Sequence, residues 1–134
     1  MVSARVLVPG TARGPLMRLR APISFWGGVD PVSGRIADPR HPDFGRAVGG
    51  TVLVVPSTVG SSSSSAIMLE LLRCGTAPAA LLLGKADAIL ALGVVVAREL
   101  GRAGIPVVEI AAEALASLDE GIPVRVGPDG TVAA

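Results

Sequence analysis

The densest run of side chains able to do chemistry is VGSSSSS, residues 59–65, where five consecutive serines follow Gly60. A glycine lets a backbone approach a ligand closely, and hydroxyls can donate to an anion or exchange a proton with a substrate. Gly60, Ser61, Ser62 and Ser63 are therefore the candidates for handling a carboxylate or phosphate. Two other readings need no chemistry: serine is a preferred N-cap, worth about 1 kcal/mol to a helix, and serines also make flexible spacers. One cap needs only one serine, and five residues are too few to separate domains. A serine-hydrolase triad is disfavoured, because a hydroxyl without an activating base is a poor nucleophile and the one histidine, His41, lies in another loop.

The elements around the run set its position. TVLVVP before it is a continuous apolar stretch of strand length, the kind buried on both faces of a parallel sheet. After it, residues 62–74 place Ile67, Met68, Leu71 and Leu72 on one helical face, and Gly75 supplies a stop. AALLL and IPVVEI read as two more buried strands. ADAILALGVVVAREL between them reads as helix, with Gly93 expected to break it in two. Strand, helix, strand, helix, strand predicts an α/β layer, and its strand-to-helix loops are the usual mouth of a ligand site.

Before residue 50 the grammar differs. ARVLVPG and LMRLRAP are short β-rich pieces, followed by a Gly-, Pro- and Asp-dense stretch that predicts a long loop with one short strand at 34–37. Phe25 and Trp26 inside that loop argue against disorder, and a loop of this length in a compact domain is commonly functional. At the other end, AAEALASL reads as a short helix and IPVRVGPDGTVAA as a hairpin turning at 128–130.

Composition bounds the rest. A chain of 134 residues, half of it hydrophobic, is expected to be one domain over residues 1–134. A net charge of +1 and 2% aromatics give neither the basic patch nor the stacking platform of a nucleic-acid binder. No apolar stretch has the length of a membrane span and no leader is visible, so a cytoplasmic location is expected. With one cysteine, Cys74, no internal disulfide or zinc or iron–sulfur site held by this chain alone is expected. The high hydropathy points to apolar surface covered by another subunit.

Three blocks, ISFWGGVDPVSGRIADPRHP, GGTVLVVPSTVGSSSSSAIMLELLRCGTAPAALLL and ADAILALGVVVARELGRAGIPVVE, resemble in order and spacing the small, swivel-domain subunit of the aconitase X group. The resemblance covers residues 23–109. It implies a swivelling three-layer β/β/α domain, and a separate large subunit that carries an iron–sulfur cluster or iron. It also implies a dehydratase acting on a small hydroxy acid. The substrate would be cis-3-hydroxy-L-proline, giving Δ1-pyrroline-2-carboxylate, or alternatively (R)-5-phosphomevalonate.

By the same resemblance, the serine directly after glycine, Ser61, is the base that takes a carbon-bound proton. A serine alkoxide needs a dry site with helix dipoles and a cation. Aconitase has arginine where Ser63 stands here, so the cation is expected from Arg40, Lys85 or the large subunit. Trp26, Gly27, Gly28 and Asp30 fall inside the first block, as an active-site edge, a docking loop, or a loop pinned to its own domain by the tryptophan. For His41 a structural role is expected and for Cys74 a small packed side chain; Asp87 and Lys85 are expected to cap the second helix or bound its site, with solvated charge as the default reading. A free-standing anion-binding module and a non-catalytic structural subunit are the remaining alternatives.

Overall fold

A computed structural model of the chain describes residues 2–60 and 62–134. Eight strands run in the order β1-β8-β7-β3-β4-β5-β6-β2. β3 (Ala12–Arg18), β4 (Val52–Val55), β5 (Ala80–Leu83) and β6 (Val107–Glu109) are mutually parallel. β7 (Pro123–Val126), β8 (Thr131–Ala133) and β1 (Val2–Ser3) extend the other side of β3 as antiparallel neighbours. β2 (Arg5–Val8) lies antiparallel to β6. Only Ala4 separates β1 from β2, so the two ends of the order adjoin and the sheet closes on itself. The Ala4 N–H bonds the Gly130 carbonyl (2.9 Å) at that seam.

β3 is the strand shared by both halves: residues 12–15 pair with β7 and residues 16–18 with β4. The two-residue side-chain period then sorts the buried residues into two cores. Leu53, Val55, Leu81, Leu83 and Val107 face the helices. Val52, Val54, Ala80, Leu82 and Val108 face Val124, Val126 and Val132 of the antiparallel half. Every residue of β4 and β5 is buried because each face meets a different layer. The result is the three-layer β/β/α arrangement of an α/β domain.

α2 (Ser64–Cys74) packs against α3 (Ala88–Glu99) and the sheet through Met68, Leu71, Leu90 and Val94. Gly75, at φ 73°, ends α2, with the Thr76 N–H returning to the Leu71 carbonyl at 3.0 Å; this is the expected glycine stop. Gly93, by contrast, does not break its helix. α3 is continuous from 88 to 99, and Gly93 is buried where the two helices touch: a Cβ there would lie 2.6 Å from the Ser65 carbonyl oxygen. Helical propensity pointed to a break, whereas close helix packing is what the glycine serves. The closing hairpin forms as expected, and AAEALASL yields one 3-10 turn at Ala112–Leu115.

The stretch from 23 to 48 carries no regular strand. The expected strand at 34–37 is reduced to isolated bridges, Val29 with Ile36 and Arg35 with Ala47. The loop is nonetheless anchored: Ile23, Phe25, Val29, Ile36 and Val48 belong to the helix-side core. Its one helical turn, α1 (Phe25–Gly28), is irregular at Trp26 (ψ 112°) and Gly27 (φ 78°). Among the described residues no helix is long and apolar enough to cross a membrane.

Candidate functional site

Because β3, β4, β5 and β6 run parallel, the segments that follow them emerge on one edge of the sheet. This is the edge where open α/β folds place ligands. The segment after β4 carries Gly60 and the serines, and two neighbours hold its first half. From the β3 side, the Ile23 N–H donates to the Ser57 carbonyl (3.3 Å) and the Val59 N–H to the Ile23 carbonyl (3.0 Å). From the β5 side, the Gly84 N–H donates to the Val55 carbonyl (2.8 Å), and a Cβ at Gly84 would strike the Pro56 carbonyl oxygen at 2.5 Å.

A side-chain bond tightens this second contact. Asp87 is the N-cap of α3; its Oδ1 accepts from the N–H groups of Ile89 (2.9 Å) and Leu90 (3.0 Å). Its Oδ2 accepts from the Thr58 hydroxyl at 2.6 Å. The capping role follows from the residue type, whereas the Thr58 bond links residues 29 apart and leaves no local sequence signal.

The serines divide by task. Ser61 lies outside the described residues. Ser62 is exposed in a turn. Ser63 occupies the N-cap position of α2, yet its φ/ψ is helical (−74°, −8°) and its side chain makes no capping bond. Ser64 is buried, and the Ser65 hydroxyl bonds the Ser62 carbonyl (3.1 Å), so these two belong to the scaffold. α2 also has no acidic residue in its first turn. Gly60 is exposed, its φ is not positive, and a Cβ there would meet nothing within 4 Å. Among the described residues, neither a positive φ nor close packing calls for glycine at that position.

The 23–28 segment lies beside this loop through Ile23. Phe25 is buried and anchors the segment, while Trp26 is 56% exposed, so the tryptophan does not pin the loop to its own domain. Ser24, Trp26, Gly27, Gly28 and the chain from Ala37 to Arg40 line an open recess of about 390 Å³. Asp30 stands apart from this recess and shapes the next turn: its carboxylate accepts from the Val32 N–H (3.0 Å) and its carbonyl from the Gly34 N–H (2.7 Å). Recesses on the antiparallel half, around Arg13, Pro123 and Arg125 and around Thr11 and Asp129, are lined by no serine or histidine.

His41 is structural. The Asp43 N–H donates to its Nδ1 (3.0 Å), so Nδ1 is the acceptor and Nε2 carries the proton, which it donates to the Ala21 carbonyl (3.1 Å). Both ring nitrogens are committed in a buried site. Beside it, the fully buried Asp43 carboxylate accepts from the Arg20 N–H (2.9 Å), Arg20 Nε (3.0 Å) and Arg46 Nη1 (3.0 Å). Burial pushes that carboxyl up, but the Arg20 and Arg46 hydrogen bonds together outweigh it and hold the carboxyl below the usual carboxylate range. Arg46 continues to Glu120 at 2.7 Å, which ties the loop to the turn before β7.

Of the two candidate cations on this chain, Arg40 is engaged by Asp38 (3.2 Å). The Arg40 backbone N–H, and then its side chain, lower the Asp38 carboxyl from its ordinary value. Lys85 is exposed in the β5–α3 connection and makes no ion pair among the described residues. Cys74 ends α2, the far end from the serine run, about 16 Å away at 1.5 Å per residue. Among the described residues no three His, Cys, Asp or Glu side chains converge as a metal site requires. The residues present therefore do not fit an iron–sulfur cluster.

A β/β/α domain with a glycine–serine segment after β4, on the parallel strands' carboxyl edge, has the architecture of the swivel domains of aconitase-type enzymes. The chain belongs to the aconitase X swivel domain family, whose model matches residues 1–134. It is 45% identical over 107 residues to cis-3-hydroxy-L-proline dehydratase of Pseudomonas aeruginosa, covering 80% of this chain and 18% of that protein. The chain thus spans less than a fifth of that relative's length. It is 38% identical over 129 residues to the phosphomevalonate dehydratase small subunit of Methanothermobacter thermautotrophicus, covering 96% and 94% of the two chains. The crystal structure of Thermococcus kodakaraensis aconitase X in its holo-form superposes with a TM-score of 0.84 at 32% identity, over 97% of this chain and 93% of that one.

Proposed function

We propose that this chain is the small subunit of a two-component hydro-lyase that dehydrates a hydroxy acid, and that it supplies the proton-abstracting base while a large subunit supplies the rest of the site. The carrying observation is Gly60: among the described residues nothing requires a glycine there, and it stands exposed immediately before the serine run on the ligand edge of the sheet. Open space beside a backbone is what a close-approaching substrate requires. The first turn of α2, with no acidic residue, suits a carboxylate, because its N–H groups carry the positive end of the helix dipole.

In this reading Ser61 takes the proton from the carbon that becomes one end of the double bond. The C–H electron pair forms that bond, and the hydroxyl on the neighbouring carbon leaves, once protonated, as water. Ser62 and Ser63 donate to the substrate's anionic group. The Trp26–Gly28 recess edges the site or docks the large subunit, and Lys85, exposed just after β5, is a cation at the same edge.

Cis-3-hydroxy-L-proline is the proposed substrate, supported by the higher identity to the dehydratases of that compound. Phosphomevalonate is the second reading, supported by end-to-end matching to small subunits of that enzyme. The test is reconstitution with the cognate large subunit, assaying water loss from each substrate. Activity on hydroxyproline that Ser61→Ala lowers by about 10²–10⁴ supports the assignment, as loss of a general base does. Turnover unchanged by Ser61→Ala overturns the base, and turnover of phosphomevalonate alone overturns the substrate.

A further inference from the structure

Two connections emerge side by side on the ligand edge, and one carboxylate serves both. Asp87 spends Oδ1 on the first turn of α3 and Oδ2 on Thr58, at 2.6 Å, the length of a charge-assisted O–H···O⁻ bond. Thr58 is two residues before Gly60 and its backbone bridges Ile23. The stretch before the serines is thus tied on one flank to the 23–28 segment and on the other to α3. α3 in turn is rigidly placed, since Leu90 and Val94 are fully buried and Gly93 seats it against α2.

We infer that Asp87 is the positioning residue of this site: through Thr58 it sets where the chain leading through Gly60 stands relative to the sheet edge. This rests on the reading that the β4–α2 connection carries the reaction. The chemistry supports a positioning role more than a purely structural one. Capping α3 needs one acceptor oxygen, and serine or asparagine would supply it. The second oxygen is used on a loop residue whose two chain neighbours, Ser57 and Val59, are already bonded to Ile23. That adds little to folding but fixes the approach angle of the chain into the serine run. Small misplacements of a reacting group cost large factors in rate.

The experiment compares variants in the reconstituted enzyme. Thr58→Val removes the hydroxyl at nearly constant shape, and Asp87→Ser keeps a capping oxygen but cannot reach both partners. Each is expected to lower kcat at least tenfold with KM changed less than about threefold, and Thr58→Ser is expected to restore most of kcat. The double variant Thr58→Val/Asp87→Ser is expected to lose no more than the worse single variant, because both act through one bond. Hydrogen exchange of peptides spanning residues 56–66 should quicken in both single variants while peptides within 90–99 stay unchanged. Full kcat in Thr58→Val, failure of Thr58→Ser to rescue, or multiplying losses in the double variant would overturn the inference. Ser61→Ala keeps the two failures apart. If it retains activity the serine reading fails, and the exchange data alone then decide the clamp. If it abolishes activity while Thr58→Val does not, only the clamp fails.

Discussion

Gly93 on α3 lies directly against Ser65 on α2: a Cβ at position 93 would fall 2.6 Å from the Ser65 carbonyl oxygen and 2.9 Å from the Met68 Cβ. Neither neighbour is the free end of a flexible side chain, so an added methyl must move one helix. Gly93→Ala gains up to about 1 kcal/mol of helix propensity. Against that stands an overpacking cost of about 1–3 kcal/mol. The expected result is a net loss of stability in urea unfolding, where propensity alone predicts a gain. A stabilised variant would mean that this contact does not set the helix spacing. Ser65 is in the first turn of α2, so the displacement should also lower activity.

Asp43 predicts how the fold meets acid. Its folded-state carboxyl titrates below the ordinary value, so it binds its proton less readily folded than unfolded. The stabilisation is therefore fully present above about pH 4–5 and is lost as pH falls through the depressed folded value. Asp43→Asn should lower stability at pH 7. The gap between it and the parent chain should then narrow below about pH 4, as the parent loses the same interaction. Asp43→Ala, which removes the buried carboxylate that gathers three N–H groups of Arg20 and Arg46, should cost about 1–3 kcal/mol at neutral pH. Parallel stability curves for the parent and Asp43→Asn down to pH 2.5, followed by circular dichroism, would contradict this account.

For His41 the expectation separates stability from chemistry. Both nitrogens are bonded within the loop, one to the Asp43 N–H and one to the Ala21 carbonyl. His41→Ala should destabilise the chain by about 1–3 kcal/mol by leaving those groups unpaired. At a temperature where the variant is folded, the pH dependence of kcat/KM should keep its shape. A lost or shifted limb in that profile would place the imidazole in the reaction.

Three of the four parallel strands, β4 to β6, and two helices were legible because burial on both faces writes continuous apolar runs, as in β4 and β5, and because Gly75 marks a helix end chemically. Gly93 misled for a physical reason: a glycine that breaks a helix and one that admits a neighbouring helix look the same locally, and only the partner's position distinguishes them. The 34–37 strand misled because Ile36 is buried like a strand residue, yet it pairs with Val29 while the adjacent Arg35 pairs with Ala47 in a different segment. At the site, the serine loop was legible from its place after an apolar run. The Thr58–Asp87 bond and the Asp43 cluster were not, since each joins residues 20 or more positions apart through the fold.

Trp26 offers a direct probe of what covers the recess. It is the chain's one tryptophan and is 56% exposed, whereas Phe25 beside it is buried in the helix-side core. Phe25→Ala should cost about 3–5 kcal/mol of stability, as loss of a core aromatic does. Trp26→Ala should change stability by no more than about 0.5 kcal/mol. The tryptophan's role is expected to appear on assembly instead. An exposed indole emits at long wavelength, so titrating a tryptophan-free version of the large subunit should shift the emission to the blue as the ring is desolvated. A tryptophan buried at the centre of an interface commonly contributes about 2 kcal/mol or more, so Trp26→Ala should weaken association at least tenfold. Unshifted emission with unweakened association would leave the recess open on the assembled enzyme. Trp26 would then belong to the substrate's entrance, and Trp26→Ala should raise KM instead.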